Sequence, residues 1–129
     1  MQSHPANPLV ESFIESLVTE KGYSDHTCRA YRKDLNDFFA FAADDLKPRK
    51  SSLKRPLTVS PEQIDGILIR GYLGFLHRKN KKTTIARKLS AIRSFFKYLE
   101  KRGHISENPA QHVMTPKQDK IIPVYLSVD

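Results

Sequence analysis

Between Lys81 and Arg102 the chain carries eight basic residues and a single acid, Glu100, interleaved with Thr83, Thr84, Ser90 and Ser94. Lysine and arginine neutralise phosphate, and short hydroxyl side chains donate hydrogen bonds without holding the backbone away from what it binds. The chemistry this segment suits is contact with a polyanion, at phosphate oxygens and at base edges. A merely solvated helix face mixes the two signs of charge, whereas here they are segregated. Arg29, Arg32, Lys33 and Asn36 form a second, weaker cluster, with Asp34 and Asp37 expected on the far side of the same helix. A structural reading pairs Arg32 and Lys33 with those aspartates, in exposed helix pairs contributing only about 0.3–0.5 kcal/mol.

Other chemistries find no such pattern. Cys28 is the single cysteine; it has no neighbour to activate its thiol and no partner for an internal disulfide, which suits a reducing cytoplasm. No Cys/His spacing of the zinc type is present, so neither a metal nor another cofactor is inferred, and no small-molecule substrate. The five tyrosines fall at core spacings or, for Tyr125, in the tail. Tyr31, Phe38, Phe39, Phe95 and Phe96 read as packing residues rather than base-stacking platforms.

A chain of 129 residues with 39% hydrophobic content can bury one modest core. Its net charge of +8 favours nucleic acid first and an anionic membrane surface second. No apolar run is long enough to span a membrane, and Met1 to Pro8 lacks the basic-then-apolar layout of a secretory signal, so a cytoplasmic protein is expected.

Apolar periodicity supplies the elements that hold the basic residues. A first helix is predicted after an Asn7 cap with Pro8 at its first position, with Val10, Phe13, Ile14 and Leu17 inward and Gly22 as its stop. A second follows a Ser24 cap and turns Cys28, Tyr31, Leu35, Phe38, Phe39 and Ala42 inward. Residues 44–59 lose the periodicity, hold two prolines and five basic residues, and read as a solvated loop. Ser60 and Gln63 are spaced for a capping box opening a third helix over 61–79. That helix is apolar over a wide arc including Ile67 and Phe75, and Gly66, Gly71 and Gly74 within it imply a close crossing by a neighbour. A fourth helix is predicted from Thr84 to Arg102, capped by Thr83, with Ile85, Leu89, Ile92, Phe96 and Leu99 inward. Asn108-Pro109 starts one short helical turn, and 115–129 reads as an extended tail. The predicted fold class is all-α: a four-helix bundle with a short C-terminal turn.

Ser24-Asp25-His26-Thr27 followed by Tyr31-Arg32-Lys33-Asp34-Leu35 resembles the second helix of Xer-type tyrosine recombinases and related phage integrases. The block from Thr84 to Leu99 resembles their fourth helix more closely. Asn108-Pro109-Ala110, Thr115-Pro116-Lys117, Ile122-Pro123 and Leu126-Ser127 follow in the order of that family's exit into its catalytic domain. The resemblance implies a SAM-like core-binding domain over 1–114, forming half of a clamp on duplex DNA, with 115–129 beginning the linker to a catalytic domain. It assigns Thr27, Arg29, Arg32 and Lys33 to one contact surface and Lys82, Thr83, Thr84, Arg87, Lys88, Ser90, Arg93 and Lys97 to another. Lys117 would follow the phosphate backbone at the linker. The family's chemistry, a tyrosine attacking a phosphodiester to form a 3′-phosphotyrosyl link within a tetrameric synaptic complex, resides in a C-terminal domain whose residues cannot be placed here. The chain is therefore expected to bind and not to cut. A stand-alone helical DNA-binding regulator and a SAM-type protein-interaction module are the alternatives.

Overall fold

The computed structural model describes residues 6–46 and 59–114. Most of the expected 44–59 loop, the 115–129 tail and Lys117 lie outside the described residues. Four helices are present: α1 (Ala6–Lys21), α2 (Asp25–Leu46), α3 (Gly66–His77) and α4 (Lys82–Lys101), with a 3₁₀ turn at Pro61–Gln63 ahead of α3. No strand occurs among the described residues. The all-α class predicted from periodicity is the class observed.

Helix ends follow local chemistry. Ser24 caps α2 as expected, its Oγ accepting the Thr27 N–H at 3.1 Å. Gly22 (φ +66°) ends α1 and Gly103 (φ +82°) follows α4, both in the left-handed region that a side chain would strain. Several boundaries differ from expectation. α1 begins at Ala6, so Asn7 lies inside it, and α2 continues through Leu46 into the expected loop. The single helix expected over 61–79 is interrupted. The Ser60 N–H donates to Gln63 Oε1 at 2.9 Å around the 3₁₀ turn, and Ile64 is then extended (φ −90°, ψ 128°). Asp65 starts α3 afresh, accepting the Leu68 N–H at 2.9 Å.

The core lies between the four helices. α1 packs on α2 and α4, α3 packs on the same two, and α2 also packs on α4. Phe13, Leu35, Phe39, Ile69, Ile85, Leu89, Ile92, Phe96 and Leu99 are all buried there. Phe95 joins them, meeting Phe13 and Phe39 edge to face with ring centroids 5.5 and 5.7 Å apart. Cys28 is a buried free thiol. Past α4 the chain folds back in two tight turns, Gln111 N–H to Asn108 O at 3.1 Å and Val113 N–H to Ala110 O at 3.2 Å. These bury Ala110 and Val113.

The α3 glycines correct a sequence expectation. Only Gly66 has a close neighbour, the Pro109 carbonyl oxygen 3.5 Å from where a Cβ would stand. Around Gly71 and Gly74 nothing comes within 4 Å of that position, so no helix among the described residues crosses them. Nor is the wide apolar arc of α3 all core, since Ile67 is 72% and Phe75 43% exposed.

Candidate nucleic-acid interface

α2 and α4 lie side by side, and their shared seam is ionic as well as apolar. Asp34, on α2, is 4% exposed. Its Oδ1 accepts from Lys88 Nζ at 3.0 Å and from Arg87 Nη2 at 3.1 Å, both on α4. Asp37 accepts from Lys88 at 3.3 Å and from Lys33 at 3.3 Å. The aspartates expected on the far side of α2 thus face α4. A carboxylate removed from water needs cationic partners, and the basic fourth helix supplies them.

This placement sorts the candidate residues. Lys88 is buried, 8% exposed, with its ammonium held in the seam rather than turned outward. Arg87 touches Asp34 with one nitrogen while its side chain stays 56% exposed. Lys82, Thr83, Ser90 and Lys97 are exposed along α4, and Thr84 is half-buried. Arg93 is half-buried: its Nε donates to the Ala110 carbonyl at 3.4 Å and its Nη2 to the Val113 carbonyl. The guanidinium therefore holds the C-terminal turn onto α4. Between them Ser90, Arg93, Ser94, Lys97, Glu100, Asn108 and Gln111 line a cleft of about 470 Å³. Sequence reading left Asn108 and Gln111 out of the site, since only the fold-back of the turn brings them beside Lys97.

On α2, Arg29 and Lys33 are exposed and Thr27 is half-buried at the first turn. Arg29 donates to Asp25 at 2.7 Å, and this hydrogen bond with the guanidinium charge holds the Asp25 carboxyl below the usual carboxylate range. Arg32 makes a two-pronged pair with Glu11 of α1, both bonds at 2.9 Å, and so ties α1 to α2. Its expected aspartate partners are not the ones it takes. Tyr31 is half-buried against Phe13 and Tyr23, and burial raises its phenol pKa.

The N-terminus of α4 is also arranged differently from expectation. Lys81, not Thr83, occupies the N-cap, and its side chain makes no capping bond. Thr83 and Thr84 instead sit in the first turn, where backbone N–H groups point out of the helix with partial positive charge.

The family model described as phage integrase, N-terminal SAM-like domain, matches residues 10–103. The chain belongs to that family. Among its relatives are proteins named tyrosine recombinase XerC from Thermodesulfovibrio yellowstonii, 40% identical over 93% of this chain and 35% of the relative, and from Pelobacter propionicus, 35% identical over 97% of this chain and 38% of the relative. A protein named tyrosine recombinase XerD from Listeria innocua is 32% identical over 95% of this chain and 38% of the relative. The SAM-like domain thus spans a little over a third of the length of these relatives. No solved structure matches it. The matched segment runs from the start of the α1 core to the glycine after α4, so it contains the α2–α4 seam and both basic faces.

Among the described residues no helix of the SAM-like domain is long and apolar enough to cross a membrane, and no group of His, Cys, Asp and Glu is placed to hold a metal.

Proposed function

We propose that this SAM-like domain binds duplex DNA through the joined faces of α2 and α4, as the N-terminal part of a longer cytoplasmic tyrosine site-specific recombinase. In this reading residues 1–114 form the DNA-binding domain and 115–129, Lys117 included, begin the connection to a catalytic domain. That further domain supplies the tyrosine and the phosphoryl transfer, and the whole protein works with other recombinase protomers on a recombination half-site.

The observation that carries the reading is the inward turn of Asp34 and Asp37. Acids that would repel phosphate are spent in the α2–α4 seam, while Arg29, Arg87, Ser90 and Lys97 remain on the solvent side of the same two helices. Asp25 beside Arg29 and Glu100 at the cleft stay on the solvent side, outnumbered there by Arg29, Lys33, Arg87 and Lys97. The uncapped N-terminus of α4, with Lys82 and two threonines in its first turn, adds donors suited to a phosphate.

Affinity for a duplex, read by fluorescence anisotropy across a salt series, tests this. Neutralising about five phosphates gives a log–log slope of about −4.5. Reversing charge with Arg29→Glu and Lys33→Glu lowers affinity while the domain stays folded, the exposed i,i+4 pairs with Asp25 and Asp37 adding little to its stability. A slope near zero overturns the reading. The chain should also form no denaturation-resistant adduct with nicked duplex; such a band would place chemistry in this segment.

A further inference from the structure

The turn after α4 stands beside that helix as a third rib. On one flank α4 presents Arg87 and Lys88 to α2, and on the other Arg93 to the turn, with Ser90 and Lys97 exposed between them. A body lying along the outer face of α4 therefore has α2 on one side and residues 108–113 on the other.

The turn is held firmly. Ala110 and Val113 are buried, their carbonyls both accept from Arg93, and the Pro109 carbonyl oxygen lies 3.5 Å from where a Gly66 Cβ would stand. Asn108 accepts the Ala110 N–H on Oδ1 at 2.8 Å and the Gln111 N–H on its backbone carbonyl at 3.1 Å. The backbone of Gln111 is thus fixed while its side chain is not. Gln111 is exposed, lines the cleft against α4, and nothing among the described residues bonds its carboxamide. A free polar group on an anchored backbone is prepared for recognition, because little freedom is lost when it binds.

The chemistry of the cleft indicates what would be recognised. Arg93 is engaged with the turn, which leaves Lys97 as the free cation of the lining, and Glu100 stands at the same wall. A carboxylate repels phosphate, so this end of the surface suits a neutral group. Hydroxyls of Ser90 and Ser94 beside the Gln111 carboxamide offer donors and acceptors together, as base edges do. A glutamine carboxamide pairs in bidentate fashion with N6 and N7 of adenine in the major groove.

We propose that Gln111 is a specificity-determining residue that reads one adenine of the bound duplex, with Arg93 as the positioning residue that keeps the turn within reach of the groove. This rests on the duplex reading and extends it to a segment outside both basic helices, past residues 10–103 that the family model matches. It also separates two kinds of contact on one surface: the lysines and arginines set affinity, and the neutral turn sets sequence preference.

Selection of the full chain's binders from a pool of randomised duplexes, sequenced before and after binding, tests it. Gln111→Ala flattens an adenine preference at one position by about tenfold and leaves the other positions as they are. The salt slope on the selected duplex stays unchanged, because no charge is lost. Gln111→Arg moves the preference at that same position from adenine to guanine, whose O6 and N7 an arginine pairs with. Arg93→Ala flattens the same position, and adding Gln111→Ala to it flattens that position no further. The Gln111 variants melt with the wild type, since the side chain is exposed and unbonded. A Gln111→Ala profile identical to wild type, or one whose losses fall equally on every position, overturns the proposal and leaves the duplex reading standing. An Arg93→Ala profile that keeps the adenine preference overturns the positioning role. A wild-type chain with no salt-dependent affinity for any duplex overturns both readings together.

Discussion

Asp34 and Lys88 stand on different helices, are both withdrawn from water, and meet at 3.0 Å. Removing one charge of a buried pair leaves the other desolvated, which is the costly direction. Asp34→Ala should destabilise the domain by about 3 kcal/mol, toward the low end for a broken buried pair because Asp37 remains against Lys88. The double change Asp34→Leu, Lys88→Met should recover most of that loss, since two apolar side chains need no compensation. Chemical denaturation of the three variants measures both effects. Arg93 belongs to the same scale with a different outcome. It was expected to reach base edges, and its guanidinium instead grips the Ala110 and Val113 carbonyls. Arg93→Ala should speed hydrogen exchange at the Gln111 and Val113 amides while leaving α1 and α2 amides unchanged. Unchanged exchange in the turn would mean that Arg93 does not hold it.

At the scale of elements, α3 has the clearest test. Gly71 lies in a helix interior with nothing within 4 Å of an added Cβ. Gly71→Ala should therefore stabilise the domain by about 0.5–1 kcal/mol through helix propensity and a less flexible unfolded chain, visible as a raised melting temperature. The helices were largely legible in the sequence because their inward stripes are long and their stops are glycines: Gly22 and Gly103 both adopt positive φ where periodicity ends. The start of α3 was not. Ser60 and Asp65 are both good caps, and the apolar spacing through Ile64, Ile67 and Leu68 continues across the extended residue between them. Periodicity cannot show the two extended residues, Ile64 and Asp65, inside a run of correctly spaced apolar ones. The cap of α4 was misplaced too. Thr83 is the better capping side chain, but the helix already begins at Lys82, with the Ile85 N–H bonded to the Lys81 carbonyl at 3.0 Å.

At the scale of the whole molecule, the proposed reading makes Arg29 on one helix and Lys97 on the other parts of one duplex-binding surface. If both helices meet the same duplex, Arg29→Ala and Lys97→Ala should each flatten the salt slope by about one unit, and the double variant by about two. A double variant no weaker than either single one would mean that only one helix faces DNA at a time. The basic character of this surface was readable from sign segregation along α4. Which basic residues are withdrawn from it was not, because Lys88 looks like its neighbours until the azimuth of α2 is known. Asp34 turns toward α4 since Leu35, Phe38 and Phe39 claim the core side of α2, and Lys88 follows since Leu89 and Ile92 do the same on α4.

The seam also bears on how the domain could be retargeted. Because Asp34 and Lys88 fix the spacing of α2 and α4 from within, the outward positions held by Arg29, Lys33, Ser90 and Lys97 carry little of the fold's stability. A combinatorial library randomised at those positions should consist mostly of folded members, and selection against new duplex sequences can then act on recognition alone. Adding Asp34 or Lys88 to the randomised set would burden the same library with destabilised clones, since most substitutions there strand a buried charge.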